Sequence, residues 1–543
     1  MKPYLCRRAG AFIAALPDIL TMALLLPRAL ALRIRVLKRV IATRSTPTYV
    51  AVAIATLVAA APAAWSAAAF GRPPKLPMTM PPGSAATEIV EARRRADFTA
   101  MQQFRPGYEF WRHVFTMPDG SIAFGSAVDG RLLATFPARG EWTRHAVWAD
   151  PTLAGILEGQ HLARRLSERR EQVAVLLARA AGPVLQNSTR GDALLRNAPR
   201  YGSFVGEWSA IYERFGVPPE IGLAQVILES GLNGTRRSEA NAVGFCQWLR
   251  TNWKLLNHLS PTPIEAWNQT SQAPYCAAYL SILATKYGSF IPALSEHNAG
   301  GTNVGRALIN GEHLGAPDVR VRYLLGSKLA RDLRALPGRE YADVYHSYGP
   351  RSYLYAEMVF GNTFNVERLI ASTPQESIHA MRTPRAISLT EIVKRTGLAA
   401  AEVQRFNPAL VARVRAEGTL YLPYYVGGFG PDVAFWHRPP SPSYLAVLDD
   451  FMRLEPGAEQ WDDPAFAPVL ADFRRRFRNT NTEEGAVMDT VLAYVMDQAY
   501  TSSRRTLLSA FRRDEQVQRL IEHGVRELDV LRAQRPAVAA AIF

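Results

Sequence analysis

The apolar and polar positions of this chain follow helical periods over most of its length. Residues 88–112 and 150–185 repeat with the helical period, and residues 444–535 do so again. Between the first two regions, residues 115–137 carry two Asp-Gly pairs flanked by short apolar runs. Such pairs favour tight turns between strands, so this segment is predicted to form a β-hairpin or small meander. The pattern therefore predicts a mainly α chain of the α+β class.

The last helical region carries an apolar stripe. Its members fall on one helix face and are Val517, Leu520, Ile521, Val525, Leu528 and Leu531. The stripe is too short to sustain the heptads of a coiled coil. We therefore expect it to be part of a core or a docking face.

A nearly continuous apolar helix is predicted at residues 218–231, where one carboxylate, Glu229, stands near the end. Two prolines suit the helix start and Gly231 suits its stop. Burial disfavours the charged form of Glu229, and the negative end of the helix dipole acts in the same direction. Both effects raise its pKa towards the value that a general acid needs at neutral pH. The alternative is a glutamate at a frayed helix end with its carboxylate in water.

Four short motifs follow one another between residues 229 and 354. They are Glu229-Ser230, Gly244-Phe-Cys-Gln247, His297-Asn-Ala-Gly300 and Tyr353-Leu354. In this order they resemble the Glu-Ser, Gly-Leu-x-Gln, Tyr-Asn-Ala-Gly and Tyr-Val motifs of the family 1 lytic transglycosylases. That family has the soluble lytic transglycosylase domain, which is related to goose-type lysozyme. The resemblance implies a lysozyme-like helical catalytic domain at residues 191–372.

The resemblance also implies an activity on peptidoglycan that needs no cofactor. Glu229 would be the only general acid and base, and it would cleave the β-1,4 bond from N-acetylmuramic acid to N-acetylglucosamine. The muramyl C6 hydroxyl would attack its own anomeric carbon and leave a 1,6-anhydro end. Glu239 and Glu296 are the nearest other carboxylates in the matched motifs. Neither matches a catalytic position, and both are expected to be exposed surface charges.

Further site residues carry over from the same motifs. Ser238 would orient the carboxylate or the substrate, and Gln247 would contact sugar. Asn298 would bind an N-acetyl group or Glu229. The Tyr353 hydroxyl would reach the catalytic carboxylate, with three neighbouring tyrosines as alternatives: Tyr345, Tyr348 and Tyr355.

Each of these residues also has a purely structural interpretation. Ser238 suits a turn or a helix N-cap, Asn298 suits a left-handed loop position, and the tyrosines suit aromatic core packing. No group of His, Cys and carboxylate residues has metal-ligand spacing, so no metal site is predicted.

Three positions depart from the family pattern. His297 stands where the family has Tyr, Cys246 where it often has Trp or Met, and Asn241 where it has Gly. His297 is interpreted as a residue that lines the substrate groove. These departures motivate a second hypothesis, a non-catalytic peptidoglycan-binding scaffold of the same fold. A lysozyme-type hydrolase is a further alternative.

Residues 376–426 form a separate pattern of helix, Gly turn, helix, Asn-Pro and strand. This order resembles a lysin-motif (LysM) peptidoglycan-binding module. It also resembles the degenerate segment that follows the catalytic domain in membrane-bound lytic transglycosylases of type D. The alternative is a βααβ lid on the catalytic domain. A Pro- and Gly-rich linker at 427–443 and a helical C-terminal domain at 444–543 are predicted to follow.

The N-terminal segment and the charge indicate a compartment. Residues 1–69 contain a basic stretch, an apolar core and small residues, which predicts export to the periplasm or cell envelope. An uncleaved signal that anchors the protein to the membrane is the alternative. The chain has 543 residues and a net charge of +15, which suits an anionic wall or membrane surface. A nucleic-acid binder is a weaker interpretation, because no recognised binding motif supports it.

Two further segments complete the predicted organisation. Residues 70–87 are a Pro-rich linker, and residues 88–190 are a helical region with the hairpin insert, packed on the catalytic domain. Cleavage of the signal would leave Cys246 and Cys276. An oxidising compartment permits a disulfide between them, and the alternative is two buried free thiols.

Overall fold

The computed structural model describes residues 84–265, 267–333, 336, 341, 352–433, 439–454, 457–499 and 503–534. The predicted export region 1–69 and most of the linker at 70–87 lie outside these residues. The described residues are mainly helical with a few short strands, which confirms the predicted mainly α or α+β class. In this part of the chain, no helix combines the length and the hydropathy that crossing a membrane requires.

The helices are α1 (Ala85–Phe104), α2 (Trp111–Val114), α3 (Trp142–His145), α4 (Leu166–Ala181), α5 (Asp192–Tyr201), α6 (Val205–Arg214), α7 (Pro219–Ser230), α8 (Arg250–Leu259), α9 (Gln269–Tyr287), α10 (Phe290–Ala299), α11 (Gly301–His313), α12 (Val319–Leu333), α13 (Tyr355–Ser372), α14 (Leu389–Thr396), α15 (Ala400–Phe406), α16 (Pro442–Met452), α17 (Ala458–Trp461), α18 (Ala467–Asn479), α19 (Glu483–Ala499), α20 (Ser503–Arg513) and α21 (Glu515–Gln534). The strands are β1 (Ser121–Ser126), β2 (Leu132–Pro137), β3 (Val147–Trp148), β4 (Val184–Ser188), β5 (Ala242–Val243), β6 (Trp248–Leu249), β7 (Ile378–Arg382), β8 (Ile387–Ser388), β9 (Arg413–Val414) and β10 (Thr419–Pro423). Short 3-10 turns are formed by Pro106–Phe110, Pro151–Leu153, Gly202–Phe204, Ser352–Leu354 and Pro464–Phe466.

A small antiparallel sheet with the order β3-β2-β1-β4 confirms the predicted hairpin. Ile122 of β1 lies opposite Phe136 of β2, and a turn containing Asp129 and Gly130 joins the two strands. The helix predicted over 150–185 is shorter, because α4 begins at Leu166 and β4 begins at Val184. Gly182 ends α4 with a positive φ of 80°, and the chain then turns to pair with β1.

Helix α7 lies inside a large apolar core. Its first turn begins after Pro218, and Gly231 ends it in the left-handed conformation, as the sequence predicts. Most residues of α7 are buried, and α6 and α13 pack against it. A helix that is apolar over most of its surface is buried, so Glu229 at its end lies at the edge of the core.

The C-terminal helices extend this same core. Tyr444, Phe451 and Phe477 belong to the cluster that also contains α7, and so does Val491 of α19. Arg214 of α6 forms a buried hydrogen-bonded ion pair with Glu484 of α19. The described residues from 84 onwards accordingly belong to one compact unit.

The predicted apolar stripe of α21 packs against α11 and α12. Val517, Ile521 and Leu528 are buried, with Leu520 and Val525 partly buried beside them. They contact a cluster that includes Ile309, Leu329 and Leu333. These five members of the stripe are therefore core, one of the two roles expected for it, and the side chain of Leu531 lies outside the described part of the structure.

Residues 376–426 fold as the sequence pattern predicts. Strand β7 pairs antiparallel with β10, and helices α14 and α15 lie between them in the chain. The segment has a small core of its own, with Met381, Ile392 and Val403 at its centre. It also contacts the main helices, since the Asn268 side chain donates to the Phe406 carbonyl at 3.0 Å. The arrangement is a βααβ unit that lies against the helical core.

Candidate active site

The end of α7 places Glu229 at the edge of the core. Its side chain is 17% exposed, whereas the helix before it is buried. The next residue, Ser230, is fully buried, and its hydroxyl donates to the Phe245 carbonyl at 2.8 Å. This bond ties the helix end to the loop of residues 244–247. The backbone of Glu229 is therefore held by α7 before it and by the Ser230 hydrogen bond after it.

One oxygen of Glu229 is held by a tyrosine. The Tyr355 hydroxyl donates to Glu229 Oε1 at 2.5 Å, and Gln225 Nε2 donates to the same hydroxyl at 3.3 Å. Gln225 lies one turn before Glu229 on α7, and Tyr355 opens α13. Because Oε1 accepts this proton, the acidic proton of neutral Glu229 belongs on Oε2.

Burial raises the pKa of Glu229 to about 7, although the Tyr355 hydrogen bond and the charge of Arg236 lower it. Burial therefore wins over the groups that stabilise the carboxylate. A carboxyl group with this pKa is protonated in a large fraction of molecules at neutral pH. It can give a proton to a substrate and later take one back.

A neutral histidine lies beside Glu229. His297 Nε2 lies 2.9 Å from the Cys246 carbonyl oxygen and 3.9 Å from Glu229 Oε1. Trp248 Nε1 donates to His297 Nδ1 at 3.3 Å, so Nε2 is the ring nitrogen that carries hydrogen. Burial lowers the pKa of His297 to about 4. The residue interpreted as groove-lining therefore lies next to the acid and carries no charge at neutral pH.

Cys246 and Cys276 form a disulfide, which decides between the two alternatives that the sequence leaves open. The bond joins the loop of residues 244–247 to α9. Phe245 N–H also donates to the side chain of Gln272 on α9, at 2.5 Å. Closing a loop of this length removes freedom from the unfolded chain worth about 4 kcal/mol in the chain-entropy model. The disulfide therefore stabilises the loop whose carbonyl holds His297.

The predicted site residues do not all reach Glu229. Gln247 Nε2 donates to the carbonyls of Arg236 and Gly244, at 3.0 and 2.9 Å, so this amide closes its own loop. The Ser238 hydroxyl accepts from Ala242 N–H at 3.0 Å and closes a turn, which is the structural role weighed for it. Asn298 is exposed, one residue after His297.

Tyr355, not Tyr353, gives its hydroxyl to Glu229. Tyr353 is buried in the 3-10 turn just before α13. The motif contains tyrosines at both positions, and only the turn into α13 decides which one faces α7. Tyr345 and Tyr348 lie outside the described residues.

The two other carboxylates of the matched motifs differ from each other. Glu239 is exposed, as expected. The expectation that Glu296 is exposed is wrong, because only 8% of its side chain is exposed. Lys286 Nζ and Tyr287 OH donate to its Oε2 at 3.0 and 2.5 Å.

Arg504 of α20 completes the partners of Glu296, at 3.2 Å from Oε1. Burial acts to raise the pKa of Glu296, but Lys286 and Arg504 together bring it below its usual value. Glu296 is thus a buried anion in an ion-pair network. The sequence near Glu296 contains no sign of Arg504, which comes from a distant part of the chain.

The sequence did not predict the group of aromatic rings next to His297, here called the aromatic layer, which consists of Trp248, Tyr279 and Tyr494. Tyr494 of α19 stacks on Trp248 with ring centroids 5.8 Å apart. Tyr279 of α9 meets the same indole edge-on at 5.0 Å. Trp248 follows directly after the matched Gln247, which is a local signal that could have found it. Tyr494 has no such signal in the sequence.

A scan against models of protein families and a search of curated proteins found no match for this chain. Among the described residues there is no group of three or more His, Cys, Asp or Glu side chains that could hold a metal ion.

Proposed function

We propose that this protein is a peptidoglycan lytic transglycosylase with a lysozyme-like catalytic domain. One observation carries the proposal: Glu229, at the end of an apolar helix and only 17% exposed, is a carboxyl group whose desolvation raises its pKa to about 7. The four ordered motifs of residues 229–354 support the same activity.

The reaction uses Glu229 twice. Its Oε2 proton goes to the glycosidic oxygen as the bond from that oxygen to the muramyl anomeric carbon breaks. The resulting carboxylate then accepts the proton of the muramyl C6 hydroxyl while O6 bonds to the anomeric carbon. The products are a glycan with a free 4-hydroxyl and a 1,6-anhydromuramyl end, and Glu229 is protonated again. The hydrogen bond from Tyr355 to Oε1 keeps the carboxyl group in one orientation through both steps.

A single carboxyl group fits this reaction better than ordinary glycoside hydrolysis. Most glycosidases place a second carboxylate across the scissile bond as nucleophile or as base for water. In the described part of the chain, no second carboxylate contributes to the pKa of Glu229. Glu239 lies in an exposed loop, and Glu296 is already paired with Lys286 and Arg504. An internal hydroxyl nucleophile removes the need for a second acid.

The location of the protein is part of the proposal. A disulfide between Cys246 and Cys276 suits an oxidising compartment such as the periplasm or cell envelope. The substrate there is the peptidoglycan glycan strand. Membrane attachment through the N-terminal segment is the alternative to a freely diffusing enzyme.

Digestion of purified cell-wall sacculi tests the proposal. The wild-type protein should release muropeptides with 1,6-anhydro ends, identified by their mass. Glu229→Gln should lower the release by a factor of about 10²–10⁴, because the amide cannot donate an acidic proton. Glu239→Gln is the matched control and should behave as wild type, because that carboxylate is exposed.

Two other outcomes would identify the alternatives. Products with reducing ends would make the protein a lysozyme-type hydrolase. Sacculi that are bound but never solubilised, with no effect of Glu229→Gln, would make it a non-catalytic wall-binding scaffold.

A further inference from the structure

We propose that Trp248, supported by Tyr494, holds His297 as a neutral imidazole against Glu229, so that no cation forms beside the acid. Trp248, His297 and Tyr494 are then positioning residues that act through Glu229. The catalytic part of this inference rests on the proposed function. The inference also gives the C-terminal helices a role at the site, because α19 carries Tyr494.

The hydrogen bonds of His297 decide its protonation state. Trp248 Nε1 can only donate, so His297 Nδ1 must keep its lone pair to accept at 3.3 Å. The Cys246 carbonyl can only accept, so His297 Nε2 must carry the hydrogen at 2.9 Å. A second proton on the ring would set an N–H of the cation against the indole N–H. The Trp248 donor therefore opposes the charged form. The Cys246 carbonyl by itself favours that form, and burial is the largest cause of the low pKa of His297.

The indole is itself fixed from several sides. Tyr494 stacks on it at an interplanar angle of 26°, and Tyr279 packs edge-on against it. Trp253 lies 4.9 Å from it, centroid to centroid, and donates its own N–H to the Val243 carbonyl. Tyr494 is carried by α19, which the buried Arg214–Glu484 pair fastens to α6. The C-terminal region thus supplies one wall of the aromatic layer.

The tyrosines around the ring bring no charge at neutral pH. Burial raises the pKa of Tyr279 well above its usual value, and raises the pKa of Tyr494 to about 12. Tyr355 donates to Glu229 Oε1, and burial raises the pKa of Tyr355 as well. Glu229 is the carboxyl group that faces His297, at 3.9 Å. Arg236, the cation that acts on Glu229, is exposed and therefore well screened.

A charged His297 would change the acid directly. A cation within about 4–6 Å of a carboxyl group lowers its pKa by roughly 1–3 units. Glu229 would then be ionised at neutral pH and could not protonate the glycosidic oxygen. The alkaline limb of the pH–rate profile, which follows loss of the Glu229 proton, would move to lower pH.

The test compares Trp248→Phe with Trp142→Phe in the full chain. Trp248→Phe keeps an aromatic ring but removes the donor to His297 Nδ1, so one obstacle to a second proton on the imidazole is lost. We expect the alkaline limb for release of anhydro-muropeptides to move to lower pH, by less than the roughly 1–3 units of a full cation, because burial still opposes that proton. Trp142→Phe removes a buried indole N–H that donates to the Pro137 carbonyl in the separate core of the small sheet, and the limb should stay in place.

A double variant separates electrostatics from packing. Trp248→Phe with His297→Gln should return the limb to the wild-type pH, because glutamine keeps a donor and an acceptor but cannot become a cation. Equal loss of rate at every pH in Trp248→Phe, or no return of the limb in the double variant, would overturn the inference. Tyr494→Ala should move the limb in the same direction as Trp248→Phe, by a smaller amount.

A titration of the histidine by NMR keeps the inference testable even if no glycan is cleaved. With ¹⁵N-labelled histidine, the His297 signals are those that disappear in His297→Gln. They should remain those of the neutral ring, with hydrogen on Nε2, down to about pH 5 in the wild type, and should titrate at higher pH in Trp248→Phe. Unchanged titration in Trp248→Phe would sink the inference. Absence of anhydro products at every pH would sink only the proposed function.

Discussion

Glu229 is largely buried and Glu296 is buried, yet the pKa values of these two carboxyl groups shift in opposite directions. Burial raises the pKa of Glu229 to about 7. Burial acts in the same sense on Glu296, yet Lys286 and Arg504 hold the pKa of Glu296 below its usual value. The hydroxyl of a tyrosine reaches each carboxylate, at 2.5 Å in both cases. The difference therefore lies in the cations. Lys286 and Arg504 contact Glu296 directly, whereas the cation that acts on Glu229 is the exposed Arg236.

The two environments have different uses. The ions around Glu296 join α9 and α10 to the C-terminal helices, so their attraction contributes to tertiary structure. The surroundings of Glu229 keep a proton available, which costs stability whenever that proton is lost. His297 directly follows Glu296 in the chain, so the two environments are separated by one peptide bond.

The largest expected effect comes from breaking the Glu296 network. Arg504→Ala leaves the buried carboxylates of Glu296 and Asp462 short of a cation, and should lower the free energy of unfolding by about 3–5 kcal/mol. The matched control is Arg505→Ala, since Arg505 pairs with Asp463 at 3.2 Å but is 54% exposed. Its loss should cost about 1 kcal/mol or less. Denaturant unfolding measures both, and equal losses would contradict the contrast.

A second prediction concerns the cost of the acid itself. Glu229 has a pKa of about 7 when folded and 4.5 as a free side chain. Between these values the folded state binds more protons than the unfolded state, so wild-type stability falls as pH rises through this range. The Glu229→Gln variant should not show this loss. Its free energy of unfolding should exceed that of the wild type by about 3 kcal/mol at pH 8 and equal it below about pH 4.5.

Unfolding of the two proteins at a series of pH values measures this difference. Glu239→Gln should show no pH-dependent difference from wild type, because its carboxylate is exposed. A Glu229→Gln variant that is less stable than wild type at pH 8 would mean that Glu229 is not desolvated.

The smallest predicted effect concerns Tyr355. Its hydrogen bond lowers the pKa of Glu229, so Tyr355→Phe should raise that pKa and move the alkaline limb of activity to higher pH. The maximal rate should fall by about tenfold, the equivalent of one lost hydrogen bond to a charged group. A pH–rate profile measures both effects. If Tyr353→Phe caused the same shift and Tyr355→Phe did not, the role would return to Tyr353.

The sequence predicted those features that depend on residues close together in the chain, such as helix ends and turns. The prolines and the glycine around α7 set its limits, and the Asp129-Gly130 pair placed the hairpin turn. The position of Glu229 at the end of an apolar helix was enough to predict the direction of its pKa.

Contacts between distant segments account for the remainder. Glu296 appeared to be a surface charge, because one of its two cations, Arg504, lies 208 residues away along the chain. Tyr353 and Tyr355 are two residues apart, and sequence spacing does not determine which of them reaches Glu229. Residues 444–495 were predicted as part of a domain after a linker, whereas they share the main core, because their apolar faces match those of α7 and its neighbours.

The shared core also sets a time during synthesis before which the surroundings of Glu229 are incomplete. Arg214, which fastens α6 to α19, precedes its partner Glu484 by 270 residues. At roughly 5–20 residues per second, a ribosome takes on the order of 15–50 s to cover that distance. For most of this interval the nascent chain contains Glu229 but lacks the ring of Tyr494 that supports Trp248. The proposed wall-cutting activity therefore requires that synthesis has passed α19.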